Sequence, residues 1–219
     1  MKILALEFSS ARRSVALVES SGAVPPVVMA TAHEASGRAT RAFRLITAAL
    51  RDAGWEREVL DLIAVGIGPG SYHGIRAAIA IAEGWALARK TRQVGVSSVA
   101  ALALQWSREH VDGRFAVAVD AQRGEFYRAD YLAEAGVARE VQPLRLVKAA
   151  EIESALRAGE TVCGPDVTGR FGGAQEAFPD ARAVGCLVFE APDTTASAPL
   201  EPIYLRETAF VKARPARFA

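Results

Sequence analysis

GIGPGSYHGIRAAIAIAEGWALA, residues Gly66–Ala88, decides how this chain reads. An apolar strand candidate, Leu62–Ile67, runs into a Gly-Pro-Gly turn. Glycine and proline mark places where the backbone takes dihedrals that other residues resist. A helix follows, and Ser71 suits its N-cap, because the hydroxyl can accept from a free first-turn amide. On a helical wheel Ile75, Ile79, Ala82 and Ala86 share one face, which is expected to pack on the chain's own sheet. Ala77, Ile81, Gly84 and Ala88 share the opposite face. Charge is confined to a narrow side with Arg76, Glu83 and Lys90. A helix apolar nearly all round is expected to be buried on nearly all sides. Small residues spaced by four also admit a second helix at close range.

Upstream, Ile3–Phe8 reads as a buried strand, Ser9–Arg13 as a polar turn and Ser14–Glu19 as a returning strand. A third strand is expected around Val27–Ala32. Thr40–Ala53 patterns as an amphipathic helix stopped by Gly54. Its stripe holds Phe43, Ile46, Leu50 and Ala53, widened by Ala42, Leu45 and Ala49. Downstream, a strand at Gln93–Val96 leads to a helix from near Ser97 to near Arg108. The opening pattern then returns. ILALEFSSARRSVALV (residues 3–18) and AVAVDAQRGEFYRADY (residues 116–131) each carry an apolar strand, an acid, a turn with arginine and a returning strand. The acids are Glu7 and Asp120. Two such hairpins at the starts of two half-chains suggest a duplicated lobe. Further elements are expected at Val141–Val147, Ala149–Ala158 and Thr161–Cys163. Ala191–Pro202 reads as a loop, and the tail is basic (Lys212, Arg214, Arg217).

The chain has 219 residues, 51% hydrophobic and 23% charged, with a net charge of +1. That suits a globular protein with a substantial core and gives no global signal for nucleic acid or membrane. Cys163 and Cys186 fit no zinc spacing. They read first as reduced, buried thiols, with a disulfide as the alternative. Met1-Lys2 is followed at once by a strand pattern, which gives no secretory signal, and no run reaches the roughly 18 apolar residues of a membrane helix. The expected compartment is the cytoplasm.

GPGSYHGIR (68–76), AIAEGWALA (80–88), AVDAQRGEFYRADY (118–131) and EPIYLR (201–206) together resemble the TsaB (YeaZ) family. The resemblance covers most of the chain in the same order. It implies an α/β fold with two ribonuclease-H-like lobes of the actin/Hsp70/sugar-kinase class, expected here at residues 1–96 and 97–219. The tail from about residue 202 is expected to return to the first lobe. It implies a non-catalytic scaffold for making threonylcarbamoyladenosine, the tRNA base modification beside the anticodon. The implied partners are a TsaD-like catalytic subunit and a TsaE-like ATPase, with tRNA met indirectly through the complex and a homodimer when alone. ATP or ADP would belong to the assembled complex and not to the chain by itself. Four departures stand out. Glu7-Phe8 replaces Asp-Thr, Arg38 stands near a usual His, and Tyr72-His73 replaces Phe-Thr. Gly185–Pro202 looks short, as though a second-lobe helix were missing.

Glu7 and Asp120, with Gly68, Gly70 and Ser71 of the turn, are the residues that would line a phosphate site. The turn ends at a helix N-terminus, which favours anions, but it has no P-loop lysine. The plainer reading makes the two acids relics that hold turns by accepting backbone amides. No two of His33, His73 and His110 are four residues apart, so no helix presents a histidine pair for metal. Gly-x-Ser-x-Gly fails around Ser71, because positions 69 and 73 are Pro and His. These absences favour a scaffold over the alternatives, a metal-dependent glycoprotease-like peptidase or a small nucleotide-binding phosphotransferase. Phe43, Leu45, Ala77, Ile81, Gly84 and Ala88 are the candidate interface residues. Arg38, Arg41, Arg44 and Arg51 read as a solvated helix face, or else as a phosphate-backbone patch.

Overall fold

Strict alternation builds the first sheet. Along Lys2–Glu7 (β1), Ile3 and Ala5 face one side while Leu4 and Leu6 face the other, and all four are fully buried. A strand buried on both faces must be central. The computed structural model describes residues 1–21, 25–35, 41–190, 195–197 and 199–205, and it places β1 third from one edge of a six-stranded sheet. Arg12–Glu19 (β2) and Val27–Ala35 (β3) continue from β1 as an antiparallel meander. On the other side Leu62–Gly66 (β4) and Arg92–Val96 (β5) run parallel to β1. The crossovers are Ala42–Ala53 (α1) and Tyr72–Arg89 (α2). Both cover the Leu4/Leu6 face, together with Phe8, Leu17, Ile63 and Val65.

The second sheet repeats the first. Gly113–Asp120 (β6), Glu125–Glu134 (β7), Val137–Lys148 (β8), Thr161–Gly164 (β9) and Gln175–Glu176 (β10) take the order β10-β9-β6-β7-β8. This is the order β5-β4-β1-β2-β3 of the first sheet, with the same parallel and antiparallel pairs where the strands correspond. The expected duplication is therefore present strand for strand. Ala149–Arg157 (α4) is the counterpart of α1 and covers the face of Ala116, Ala118, Phe126 and Val162.

Two expectations fail. The helix corresponding to α2 is absent between β9 and β10, where Pro165–Ala174 forms turns. A second-lobe helix is thus missing relative to the first lobe, but among the described residues the gap lies between β9 and β10. Gly185 instead sits inside a helix the sequence did not reveal, Ala181–Glu190 (α5). Nor does the return to the first lobe wait for residue 202. Ala181, Val184 and Leu187 of α5 pack on the Ile3/Ala5 face of the first sheet, and Thr195–Ser197 (β11) pairs with β5 at its edge.

Ser98–Glu109 (α3) lies between α5 and the second sheet. Its Ala101 and Leu104 join the first-sheet cluster, and Val99, Leu102 and Trp106 join the second. The layers therefore run α1/α2, first sheet, α5/α3, second sheet, α4. The caps follow the sequence. Ser71 and Ser97 accept from Gly74 N and Ala100 N at 3.3 Å each. Gly54, at φ 66°, ends α1 in the left-handed conformation that glycine tolerates. Cys163 and Cys186 are free and buried, and burial raises both thiol pKa values. Arg38 and the basic tail lie outside the described residues, as do residues 191–194 and 198; within the stretch expected to be a loop, Thr195–Ser197 form β11.

Candidate functional site

The face of α2 turned from the sheet is open. Ile75, Ile79 and Ala82 are buried as expected, and Ala86 only partly. On the far side Ala77 and Ile81 are half-buried, while Ala80, Gly84, Leu87 and Ala88 are exposed, Leu87 to 89%. The expectation of burial on nearly all sides thus fails within this chain, because α1 lies beside this face and not over it. The two helices form the walls of a groove of about 870 Å³. Phe43, Ile46 and Leu50 line one wall, Ile81, Gly84 and Ala88 the other, with Trp55 and Trp85 also in the lining. A Cβ added at Gly84 would meet nothing within 4 Å. Trp85 Nε1 is buried with no hydrogen-bond partner among the described residues, a state that native structures rarely leave uncompensated. Phe43 is 68% exposed, but Leu45 points into the first core and is 9% exposed. Leu45 therefore leaves the candidate interface, since a side chain under its own helix cannot meet a partner. The groove also carries Arg51, which pairs with Asp52 at 2.9 Å, and Arg89, which pairs with Glu58. Arg41 lies 4.0 Å from Glu34.

The glycine turn is held from behind. Glu7 is fully buried on the Ile3/Ala5 side of β1, beneath the start of α3. Ser9 N donates to Glu7 Oε1 at 2.7 Å, and Ser98 Oγ donates to Glu7 Oε2 at 2.7 Å. Ser98 Oγ in turn accepts from Gly68 N at 3.1 Å. A Cβ at Gly66 would collide with the Glu7 carboxylate, so only glycine fits there. Burial raises the Glu7 pKa; the bonds from Ser9 and Ser98 oppose that, and the charge of Asp180 adds to it. The first turn of α2 is partly filled as well. Ser71 N donates to Ser9 O at 2.6 Å, and Gly74 packs against the Phe8 carbonyl.

A cleft of about 830 Å³ separates the two sheets. Of the five phosphate-site candidates, Gly70, Ser71 and Asp120 line it, whereas Glu7 and Gly68 do not. Asp120 Oδ1 accepts from Gln122 N at 2.8 Å, and Oδ2 accepts from Arg170 at 2.9 Å. Glu7 and Asp120 thus each receive the amide two residues on, the shared mark of the two hairpins. Only Asp120 reaches the cleft. No group of three or more His, Cys, Asp or Glu that could hold a metal ion occurs among the described residues. Nor is any helix there long and apolar enough to cross a membrane.

Several site residues escaped sequence reasoning. Ala80 and Leu87 lie three or four residues from Gly84, so the wheel already carried their signal. Ser98, and Tyr204 in the lining of the cleft, gave none. Their roles depend on chain segments that meet only in the fold.

Comparison with known proteins places these features in context. The family model TsaD: tRNA N6-adenosine threonylcarbamoyltransferase matches residues 8–161. The TsaB protein of Escherichia coli K12, a tRNA threonylcarbamoyladenosine biosynthesis protein, is 32% identical over 131 residues, covering 60% of this chain and 55% of that one. Its namesake in Bacillus subtilis 168 is 28% identical over 146 residues, covering 65% and 60%. The chain thus spans somewhat over half the length of these curated relatives. The solved structure of YeaZ from Pseudomonas aeruginosa superposes with a TM-score of 0.74 at 27% identity, covering 93% of this chain and 99% of that one.

Proposed function

The chain belongs to the TsaB (YeaZ) proteins within the family described as TsaD: tRNA N6-adenosine threonylcarbamoyltransferase, and on that premise we propose that it is a non-catalytic scaffold subunit in tRNA threonylcarbamoyladenosine synthesis. In this role it pairs with a TsaD-like catalytic subunit. A TsaE-like ATPase joins the pair, and tRNA is met through the assembly. The observation that carries this reading is the open groove between α1 and α2. Phe43 stands in water at the groove and Leu87 on the exposed face of α2 outside its lining, and burying each would stabilise an assembly by about 2 kcal/mol. The exposed Gly84 lets a partner helix approach closely. A second copy of the chain is the natural occupant when the partner is absent, since the same apolar face serves both.

The peptidase and phosphotransferase readings find little support. Glu7 is buried beneath the start of α3 and does not line the cleft, and Asp120 is occupied by Gln122 and Arg170. The amide of Ser71, at the mouth of α2, is already taken by the Ser9 carbonyl. Nucleotide therefore belongs to the assembled complex in this reading.

The experiment is sedimentation of Gly84→Arg and Ala88→Glu beside the parent, with and without a TsaD-like subunit, together with thermal melting. Both variants are expected to melt like the parent, because Gly84 has open space around it, and to lose association. Folded variants that still associate like the parent would remove the groove as the interface.

A further inference from the structure

We propose that the lip of the cleft between the sheets is a stacking platform for an unpaired base of an RNA strand, formed by Tyr72 and Tyr204. The proposal rests on the reading of the chain as a component of tRNA modification, but on residues outside the groove. Tyr72 is 50% and Tyr204 46% exposed, and the rings stack with centroids 5.9 Å apart and planes 29° apart. Neither ring belongs to a core cluster. Tyr204 is not needed to tie down its own segment. Leu200 is buried in the first core, and Ile203 N donates to Ile67 O at 2.9 Å. Two large aromatic rings half in water at the edge of a cleft resemble a recognition surface more than packing.

The surroundings suit a nucleotide strand. The Arg76 guanidinium sits 5.3 Å from the Tyr72 ring centre, and His73 meets the same ring edge-on at 5.5 Å. Arg13 lines the cleft below. Of the cleft acids, Asp120 is neutralised by Arg170, and Asp166 stands in the opposite wall. Aromatic faces beside cations are the chemistry by which proteins hold unpaired bases and their phosphates. A paired duplex hides its base faces, so the ligand is a single strand or a loop nucleotide. Free nucleotide is disfavoured because Glu7 is buried and held by Ser9 and Ser98, and because the Ser9 carbonyl occupies the mouth of α2.

The test is anisotropy of a fluorescein-labelled single-stranded oligoribonucleotide against the full chain. The parent is expected to bind. Tyr72→Ala and Tyr204→Ala should each weaken binding about tenfold, the scale of one lost base–aromatic stack. Tyr72→Phe keeps the ring and should bind like the parent. Should an alanine variant fail to fold, Tyr204→Leu keeps the apolar bulk without the ring and should show the same loss. Inorganic polyphosphate, which has charge but no rings, should compete poorly. Absence of binding by the parent, parent-like binding by folded ring-less variants, or equal competition by polyphosphate overturns the proposal. Displacement of the RNA by ATP at matched nucleotide concentration also overturns it, by assigning the platform to a free nucleotide. None of these results touches association through Gly84, so the scaffold reading fails or stands separately.

Discussion

Glu7 shows how one side chain can look catalytic and serve structure. It ends β1 where a metal-binding acid would stand, yet its two oxygens hold Ser9 N and Ser98 Oγ, and through Ser98 the amide of Gly68. The exit of β1, the glycine turn and the start of α3 are tied at this one carboxylate. Glu7→Ala is expected to cost about 3 kcal/mol, from a cavity and orphaned donors, measured by chemical denaturation. Glu7→Gln keeps an acceptor for Ser9 and should stay within about 1 kcal/mol of the parent near pH 4. The folded-state pKa is raised above the ordinary 4.5, so the folded chain binds the extra proton. Its contribution to stability is complete below pH 4.5 and is lost as pH rises through the folded value. The glutamine variant has no such loss, so its stability relative to the parent should climb above pH 4.5 and then level. A pH-independent difference would show that Glu7 does not carry this linkage.

Elements show the next scale, and α1 and α2 separate folding from assembly. Leu45 and Phe43 sit two residues apart on α1, one in the core and one in water. Leu45→Ala is expected to lose about 3 kcal/mol of stability. Phe43→Ser should change stability by no more than about 0.5 kcal/mol while weakening partner association. Melting and sedimentation on the two variants separate these effects, and an equal loss of stability in both would contradict the groove. At the N-terminus of α2, the Ser9 carbonyl takes the Ser71 amide, and the lone chain should bind ATP weakly. A calorimetric dissociation constant of about 1 μM or tighter would contradict that.

Across the whole molecule, α3 and α5 make the two sheets interdependent. Residues of α3 belong to both inner cores, and Arg108 of α3 meets Glu190 of α5 at 2.6 Å. The first sheet also borrows α5 and β11 from beyond the second. A chain whose lobes share helices in this way should unfold as one cooperative unit. Scanning calorimetry is expected to give a single transition, with van't Hoff and calorimetric enthalpies equal. Two resolved transitions would mean that α3 couples the lobes less than its packing implies.

Local chemistry was enough for much of this. Short apolar runs placed β1, β4 and β6, and Ser71 and Gly54 marked helix ends, because caps and buried strands depend on neighbours in the chain. The likeness of residues 3–18 to 116–131 foretold two lobes with one strand order. The far face of α2 was legible too, since small residues at helical spacing leave the same signature wherever they lie. What the sequence could not decide was which apolar surface stays uncovered. Leu45 and Phe43 look alike as letters, and only the angle at which α1 meets β3 and α2 buries one and exposes the other. The direction of the Glu7 carboxylate was equally hidden, because its partner Ser98 arrives from a distant helix. So was the place of α5, whose apolar run fits either lobe until the open Ile3/Ala5 face of the first sheet receives it.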